Sequence, residues 1–405
     1  MAYDYSELAK FLCSIGQEHL LSGFALLSEE ERRCFADEIR SVDFSIFDRT
    51  KYFDEKNYDN LAHMPIFSAE RAEKEKNVLE NAGLAAISQG KVGAVLLCGG
   101  QGTRLGYPHS KGMFNIGITK EISIFSLHFR YLKEIAERAG AWFPIYIMTS
   151  VYNREEIETY LNEKEFFGYA SSFVFFFVQN MAPATDFDGK IYKNSPSALA
   201  LSPDGNGGWF NALVSCGYQE EIRRRGVEWL NVISIDNVLQ KIADPRFIGA
   251  TLLQNASCGA KVVKKSDPDE KIGLICLNGG GPSVIEYYEL TKLKKENSVS
   301  VEGMEHGVIL NYLFKVSEME KLISSPLPVH RVRKKIPYYD GAYRKPDVEN
   351  GYKYETLATD LVECMPTCLA YEILREKEFA PVKNPTGEDS VESARQMLLM
   401  QGFEL

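Results

Sequence analysis

The sequence predicts an α/β fold, a parallel or mixed sheet covered by helices on both faces and preceded by a helical N-terminal region. Three observations carry this prediction. From residue 92 onward, short and nearly continuous apolar stretches alternate with amphipathic helical ones, the pattern of strands buried on both faces. The first of these stretches, Val92-Gly-Ala-Val-Leu-Leu97, runs directly into a glycine-rich loop, and ligands gather at the carboxyl ends of such strands. The first ninety residues lack this alternation and read as helix.

Taken in order, Ser28-Glu-Glu-Glu31 sets a capping serine three residues before a glutamate, ahead of a helix carrying Cys34, Phe35 and Ile39. A second, highly charged helix is expected from about Ser68 to Ala86, with the aromatic, turn-rich stretch Asp43 to Pro65 as an ordered connection. After Leu97 and its loop, a helix from about Ile122 to Ala139 places Ile124, Tyr131 and Ile135 on one face and stops at Gly140. Next come a strand over Pro144 to Met148, a helix opened by the box Asn153-Arg-Glu-Glu156, and strands over Phe173 to Gln179 and Val232 to Ile235. From Cys258 to Tyr288 the strands Ala260–Val263, Leu274–Cys276 and Val284–Tyr287 follow without helices between them. They are expected to form an antiparallel insertion walling a cleft. The resulting division is a helical region over 1–90, a core over 91–383 with the insertion at 258–290, and a tail over 384–405 with one helix around Ser390 to Met400.

Lys and Arg number 46 against 56 Asp and Glu, a net charge of -10, which disfavours diffuse binding to nucleic acid or anionic membrane. The basic run Arg331-Val-Arg-Lys-Lys335 is therefore read as a substrate-facing or solvated strand. A small anionic ligand stays possible, because a few local cations outweigh distant charge within one Debye length. The cysteines at 13, 34, 98, 216, 258, 276, 364 and 368 form no CxxC pair, and the six histidines show no zinc spacing. The acidic N-terminus lacks the basic region of a signal peptide, and the longest apolar run, Phe173 to Val178, is far short of a membrane span. A reducing cytoplasm is the expected compartment.

The loop Gly99-Gly-Gln-Gly-Thr-Arg-Leu-Gly106 holds the chemistry. Its glycines let backbone N–H groups approach an anion, while Arg104 within it and Lys111 seven residues later add two cations, a combination that suits a triphosphate. The spacing Gly100-x-Gly102-x-x-x-Gly106 misses the dinucleotide GxGxxG by one residue, and no GK[ST] completes a P-loop.

Leu97-Cys-Gly-Gly-Gln-Gly-Thr-Arg-Leu-Gly106 with Ser110-Lys-Gly-Met113 resembles the signature of the eukaryotic-type UDP-N-acetylhexosamine pyrophosphorylases, roughly LAGGQGTRLG followed by PKGM. Cys98 replaces the usual alanine and Ser110 the usual proline. Pro203-Asp-Gly-Asn-Gly-Gly208, by itself readable as a glycine turn, is similar to the family's PDGNGG segment. Further likenesses follow in the family's order: Ser234-Ile-Asp-Asn237 with Ala243–Gly249, Gly273–Cys276 with Val284–Tyr287, Lys334–Pro337, and Phe379-Ala-Pro-Val-Lys-Asn384. The resemblance implies a Rossmann-like, GT-A-like nucleotidyltransferase core. It also implies the reaction of UTP with N-acetylglucosamine 1-phosphate to give UDP-N-acetylglucosamine and pyrophosphate, by in-line attack on the α-phosphate.

The roles it implies are these. Arg104, Lys111 and Lys383 carry the charge of the reaction, and the loop residues Leu97, Gly99, Gly100, Gly102 and Thr103 hold the triphosphate. Gln179, Gly205 and Asn206 meet uracil, the amide of Gln179 offering a donor and an acceptor. Asn206, Gly273, Glu286 and Asn311 meet the sugar. Val308 stands where the family has an asparagine, and Asn311 is the asparagine that remains. Asp236 is the ligand for Mg2+ or Mn2+. Asp360 is the second ligand the resemblance suggests, with a plain helix aspartate near Leu361 as the alternative. His109 is read as a loop histidine, His128 as a core histidine, and Cys98 as packed and inert. A UDP-glucose or broad UDP-sugar pyrophosphorylase is the near rival. A non-catalytic nucleotide-sugar sensor is the remote one, disfavoured because Arg104, Lys111, Asp236 and Lys383 are all present. Relatives usually continue into a β-rich C-terminal domain that supports dimerisation, so a monomer is expected.

Overall fold

The computed structural model describes residues 5–54, 57–296, 301–323, 325 and 327–405, and they fall into two compact units. The larger unit takes residues 57–179, 209–326 and 358–405; the smaller takes 5–54, 180–208 and 327–357.

The larger unit is built on a mixed sheet of eleven strands. In chain order they are β1 (Leu61–Ala62), β2 (Ile66–Phe67), β3 (Val92–Leu97), β4 (Ile145–Thr149), β5 (Val174–Val178), β6 (Trp229–Ser234), β7 (Cys258–Lys264), β8 (Leu274–Asn278), β9 (Gly281–Ile285), β10 (His306–Lys315) and β11 (Cys368–Glu372). The main path runs β2-β11-β7-β10-β6-β3-β4-β5, with β8 joining β10 and pairing β9 and β1. Strands β6, β3, β4 and β5 are parallel, which requires the helical crossovers the sequence announces. All residues of β3 and β4 are buried, as expected of strands covered on both faces. The Ile124–Ala139 helix is capped by Ser123, whose hydroxyl accepts the Ser126 N–H, and ends at the left-handed Gly140.

Three expectations need correction here. The charged helix around Ser68 is two helices, Ala69–Lys74 and Lys76–Ser88, broken at Glu75. The stretch Asp43 to Pro65, read as a connection, contains the helix Ile46–Asp54. Within the expected insertion only the β8–β9 hairpin is peripheral; β7 is a central strand, parallel to β11 and antiparallel to β10. Its partners lie far along the chain, so local pattern could not reveal them.

In the smaller unit, the Glu29–Ser41 helix opens with the full Ser28/Glu31 capping box. Leu8, Leu12, Leu20, Phe35 and Ile39 pack there with Ile191 and Leu199. Segments 180–208 and 327–357 add a three-stranded sheet in which His330–Lys334 pairs with Gly351–Glu355, and the latter with Thr185–Asp186. The compact units therefore do not part at residue 90, because these late segments close the core of the first helices. Among the described residues no helix is long and apolar enough to cross a membrane.

Candidate active site

Strand β3 ends at Leu97, which is buried, and the glycine loop begins beside Gln179, the residue after β5. A Cβ at Gly99 would overlap the Gln179 amide, so this close approach demands glycine. At Gly100 a Cβ would meet no protein atom within 4 Å, so packing does not demand glycine there. Among the described residues, the N–H groups of Gly99, Gly100, Gln101, Thr103 and Arg104 have no protein acceptor. They form a run of donors at a strand end, the arrangement that holds phosphate oxygens. Gly102 is a correction: its N–H donates to His109 O at 3.0 Å and closes the loop where Gln101 bridges Ser110.

The cations converge on Lys111. Burial pushes the Lys111 ammonium below the ordinary lysine range; the Asp236 carboxylate pulls it back up, while Arg104 and Lys383 push it further down. All three thus act on one ammonium at the carboxyl ends of β3 and β6. Arg104 and Lys383 both line a cavity of about 820 Å3, where Lys383 Nζ also meets Asp389 Oδ2 at 2.9 Å. Asp236 is half-buried just beyond β6.

Asn237, to which sequence reading gave no role, ties Asp236 to the Lys383 segment. Its Nδ2 donates to Glu378 O at 2.8 Å, its Oδ1 accepts Ala380 N at 2.8 Å, and Val382 N donates to Asp236 O at 2.8 Å. Beneath this clasp, Lys261 of β7 is completely buried between Asp244 Oδ2 at 2.7 Å and Glu378 Oε2 at 2.5 Å. The available signal was a lysine inside the apolar run Ala260-Lys-Val-Val263.

Among the residues that the resemblance gives to the sugar, a Cβ at Gly273 would lie 2.8 Å from Val284, 3.4 Å from Val308 and 3.6 Å from Glu286 Oε1, so these residues face one spot. Thr359 Oγ1 donates to Glu286 at 2.8 Å. Asp360, the next residue of the Ala358–Glu363 helix and buried, acts with Glu286 on Tyr288 and Tyr312. Asn311 is a second correction. It is fully buried, its Oδ1 accepts Asn231 Nδ2 at 2.8 Å and its Nδ2 donates to Lys241 O at 3.0 Å. It is thus a structural amide inside the sheet and not a sugar contact. In the smaller unit, Gly205 bridges Thr356 at φ +92°, where a Cβ would strike the Thr356 backbone, and carries Asn206.

The remaining sequence readings resolve simply. His128 is buried with Nε2 3.2 Å from Ile235 O, and burial lowers its pKa to about 4. Cys98 is fully buried and burial pushes its thiol far up, so it is inert to alkylation in the folded chain. None of the eight cysteines, all among the described residues, forms a disulfide. The Asn153 box does not form as expected: Asn153 Oδ1 accepts Ser150 N and Oγ, its Nδ2 reaches Cys98 O at 3.0 Å, and Glu156 turns to His109 and Ser110.

A mixed sheet with a donor-rich glycine loop, a cation cluster and a strand-end carboxylate defines a nucleotidyltransferase. A family model described as UTP–glucose-1-phosphate uridylyltransferase matches residues 44–401, and the chain belongs to that family. Among its relatives, the human UDP-N-acetylhexosamine pyrophosphorylase-like protein 1 is 37% identical over 80% of this chain and 67% of its own length. The UDP-N-acetylglucosamine pyrophosphorylase of Saccharomyces cerevisiae is 33% identical over 95% of this chain and 84% of its own. The crystal structure of the Trypanosoma brucei uridine diphosphate N-acetylglucosamine pyrophosphorylase superposes with a TM-score of 0.83 at 26% identity, covering 99% of this chain and 85% of that one.

Proposed function

We propose that this chain transfers a uridylyl group from UTP to N-acetylglucosamine 1-phosphate, releasing pyrophosphate and UDP-N-acetylglucosamine. The observation that carries the reading is the convergence of Arg104, Lys383 and Asp236 on the half-buried Lys111 beside a run of loop amides with no protein acceptor. A phosphate oxygen of the sugar phosphate attacks the α-phosphorus, and the bond to pyrophosphate breaks on the opposite side. No protein nucleophile takes part, so rate comes from alignment and from stabilising the negative charge that builds on the α-phosphate and the leaving group.

In this reading Lys111 and Arg104 hold the triphosphate, helped by the amides of Gly99, Gly100 and Thr103, and Lys383 serves the sugar phosphate. The Gln179 amide, set against Gly99, suits the edge of uracil; Gly205 and Asn206 are given the base on the family resemblance alone. Gly273 and Glu286 meet the sugar, the carboxylate accepting from a hydroxyl. Asp236, a hard and half-exposed carboxylate, would hold Mg2+ or Mn2+. That ion, when bound, offsets phosphate charge. Asp360 shares its surroundings with Glu286 and is the weaker ligand. Eight cysteines without a disulfide support a cytoplasmic home.

The test is pyrophosphate release from UTP with a panel of sugar 1-phosphates. Release with N-acetylglucosamine 1-phosphate is expected; no release with any sugar would end the reading. One observation favours a second reading, a broader UDP-sugar pyrophosphorylase: the apolar Val308 faces Gly273 and Glu286. Val308→Asn should then raise the preference for N-acetylated over plain hexose phosphate by about tenfold in kcat/KM. An unchanged ratio would remove Val308 from sugar selection.

A further inference from the structure

Resting on this reading, we propose that Glu156 is the positioning residue that sets Lys111 against the triphosphate. Lys111 sits beyond a short, irregular piece of chain and is repelled by Arg104 and Lys383, so something must hold its backbone in place. Ser110, the preceding residue, is 1% exposed at φ −57° and ψ 136°. Its hydroxyl is buried without a partner and does not anchor it. Its N–H does, donating to Glu156 Oε2 at 3.1 Å. The other carboxylate oxygen, Oε1, meets His109 Nδ1, and His109 O in turn accepts the Gly102 N–H at 3.0 Å. One carboxylate therefore fixes both arms of the loop. It is itself well seated, in the first turn of the Arg154–Glu163 helix, next to the Asn153 amide that reaches Cys98 O at the loop root.

The dihedral angles of Ser110 supply a sharp test, because φ −57° lies within the range a proline ring enforces. A ring at position 110 replaces the hydrogen bond by a covalent restraint. The experiment compares wild type, Glu156→Ala, Glu156→Gln, Ser110→Pro and the double variant Ser110→Pro/Glu156→Ala in pyrophosphate release, with melting temperatures alongside. Glu156→Ala should lower kcat about ten- to a hundredfold with the melting temperature held. Glu156→Gln, which keeps an oxygen acceptor for Ser110 N, should recover most of that loss. In the Ser110→Pro background, removing Glu156 should change kcat by no more than about twofold. Equal losses from Glu156→Ala in both backgrounds, or no loss in the wild-type background, would overturn the proposal. If Ser110→Pro does not fold, the Ala-against-Gln comparison decides: equal kcat for the two variants refutes the role. A wild-type chain that releases no pyrophosphate would instead strike the functional reading itself.

Discussion

In the proposed reaction, Lys111 concentrates the chemistry in one side chain. It is half-buried, lies near one carboxylate, and has two cations beside it that a polyanion would reconcile. Lys111→Ala should cut turnover about a hundred- to a thousandfold, the loss typical of one charge-stabilising donor, while the melting temperature holds. A near-normal rate would refute the assignment. His128 makes a different kind of prediction. The native ring stays neutral down to about pH 4, whereas an unfolded chain protonates it near pH 6.5. Between those values the unfolded state binds more protons, so stability falls as pH drops through this window, by at most about 3 kcal/mol. His128→Gln should flatten the slope of denaturation midpoint against pH between 6.5 and 4; an unchanged slope would assign the effect to other groups.

Among the elements, the buried Lys261 joins β7 to the Asp244 cap of the Pro245–Leu253 helix and to Glu378 ahead of the Lys383 segment. Burial alone would neutralise it, but the two carboxylates outweigh burial and hold it charged. Lys261→Met would take the buried cation from Asp244 and Glu378, leaving only the more exposed Lys241 beside them, a loss of about 3–5 kcal/mol. Chemical unfolding should show it as a lower midpoint, and a midpoint within error of wild type would refute it. This scale also shows what a sequence discloses. Strands β3, β4 and β5 were legible to within a residue, and β6 apart from its first three residues, because burial writes itself as an apolar run. The Ser28 box was legible because both its partners lie within four residues. The Asn153 box failed because its Oδ1 is taken by Ser150, three residues before it, and because Glu156 is drawn to a partner 46 positions away, which no local window contains. Asn311 misled for the same reason, its true partner Asn231 lying 80 residues upstream. Within the site, the loop, Lys111, Asp236 and Lys383 were legible as motif residues. The clasp of Asn237 and the anchor of Glu156 were not, since their meaning lies in pairings that only folding creates.

For the whole molecule, a net charge of -10 has to coexist with highly anionic substrates. The cluster of Arg104, Lys111 and Lys383 resolves this locally, and its reach is set by screening. Raising ionic strength from about 0.05 to 0.5 M shortens the Debye length from above 10 Å to below 5 Å, so KM for UTP should rise several-fold with kcat little changed. A KM independent of salt would argue that the cations do not draw the nucleotide in. Removing divalent ions with a chelator should abolish pyrophosphate release and leave the melting temperature in place, with Mg2+ or Mn2+ restoring it. The Lys261 seam has one more consequence, for the order in which the chain is made. Its carboxylates stand 17 residues before it and 117 after it. On the ribosome a nascent chain therefore completes β7 long before Glu378 emerges, and β11, which flanks β7, is also still unmade. Until then the lysine has one partner at most, so the sheet cannot close vectorially and its centre must wait until Glu378 has been made.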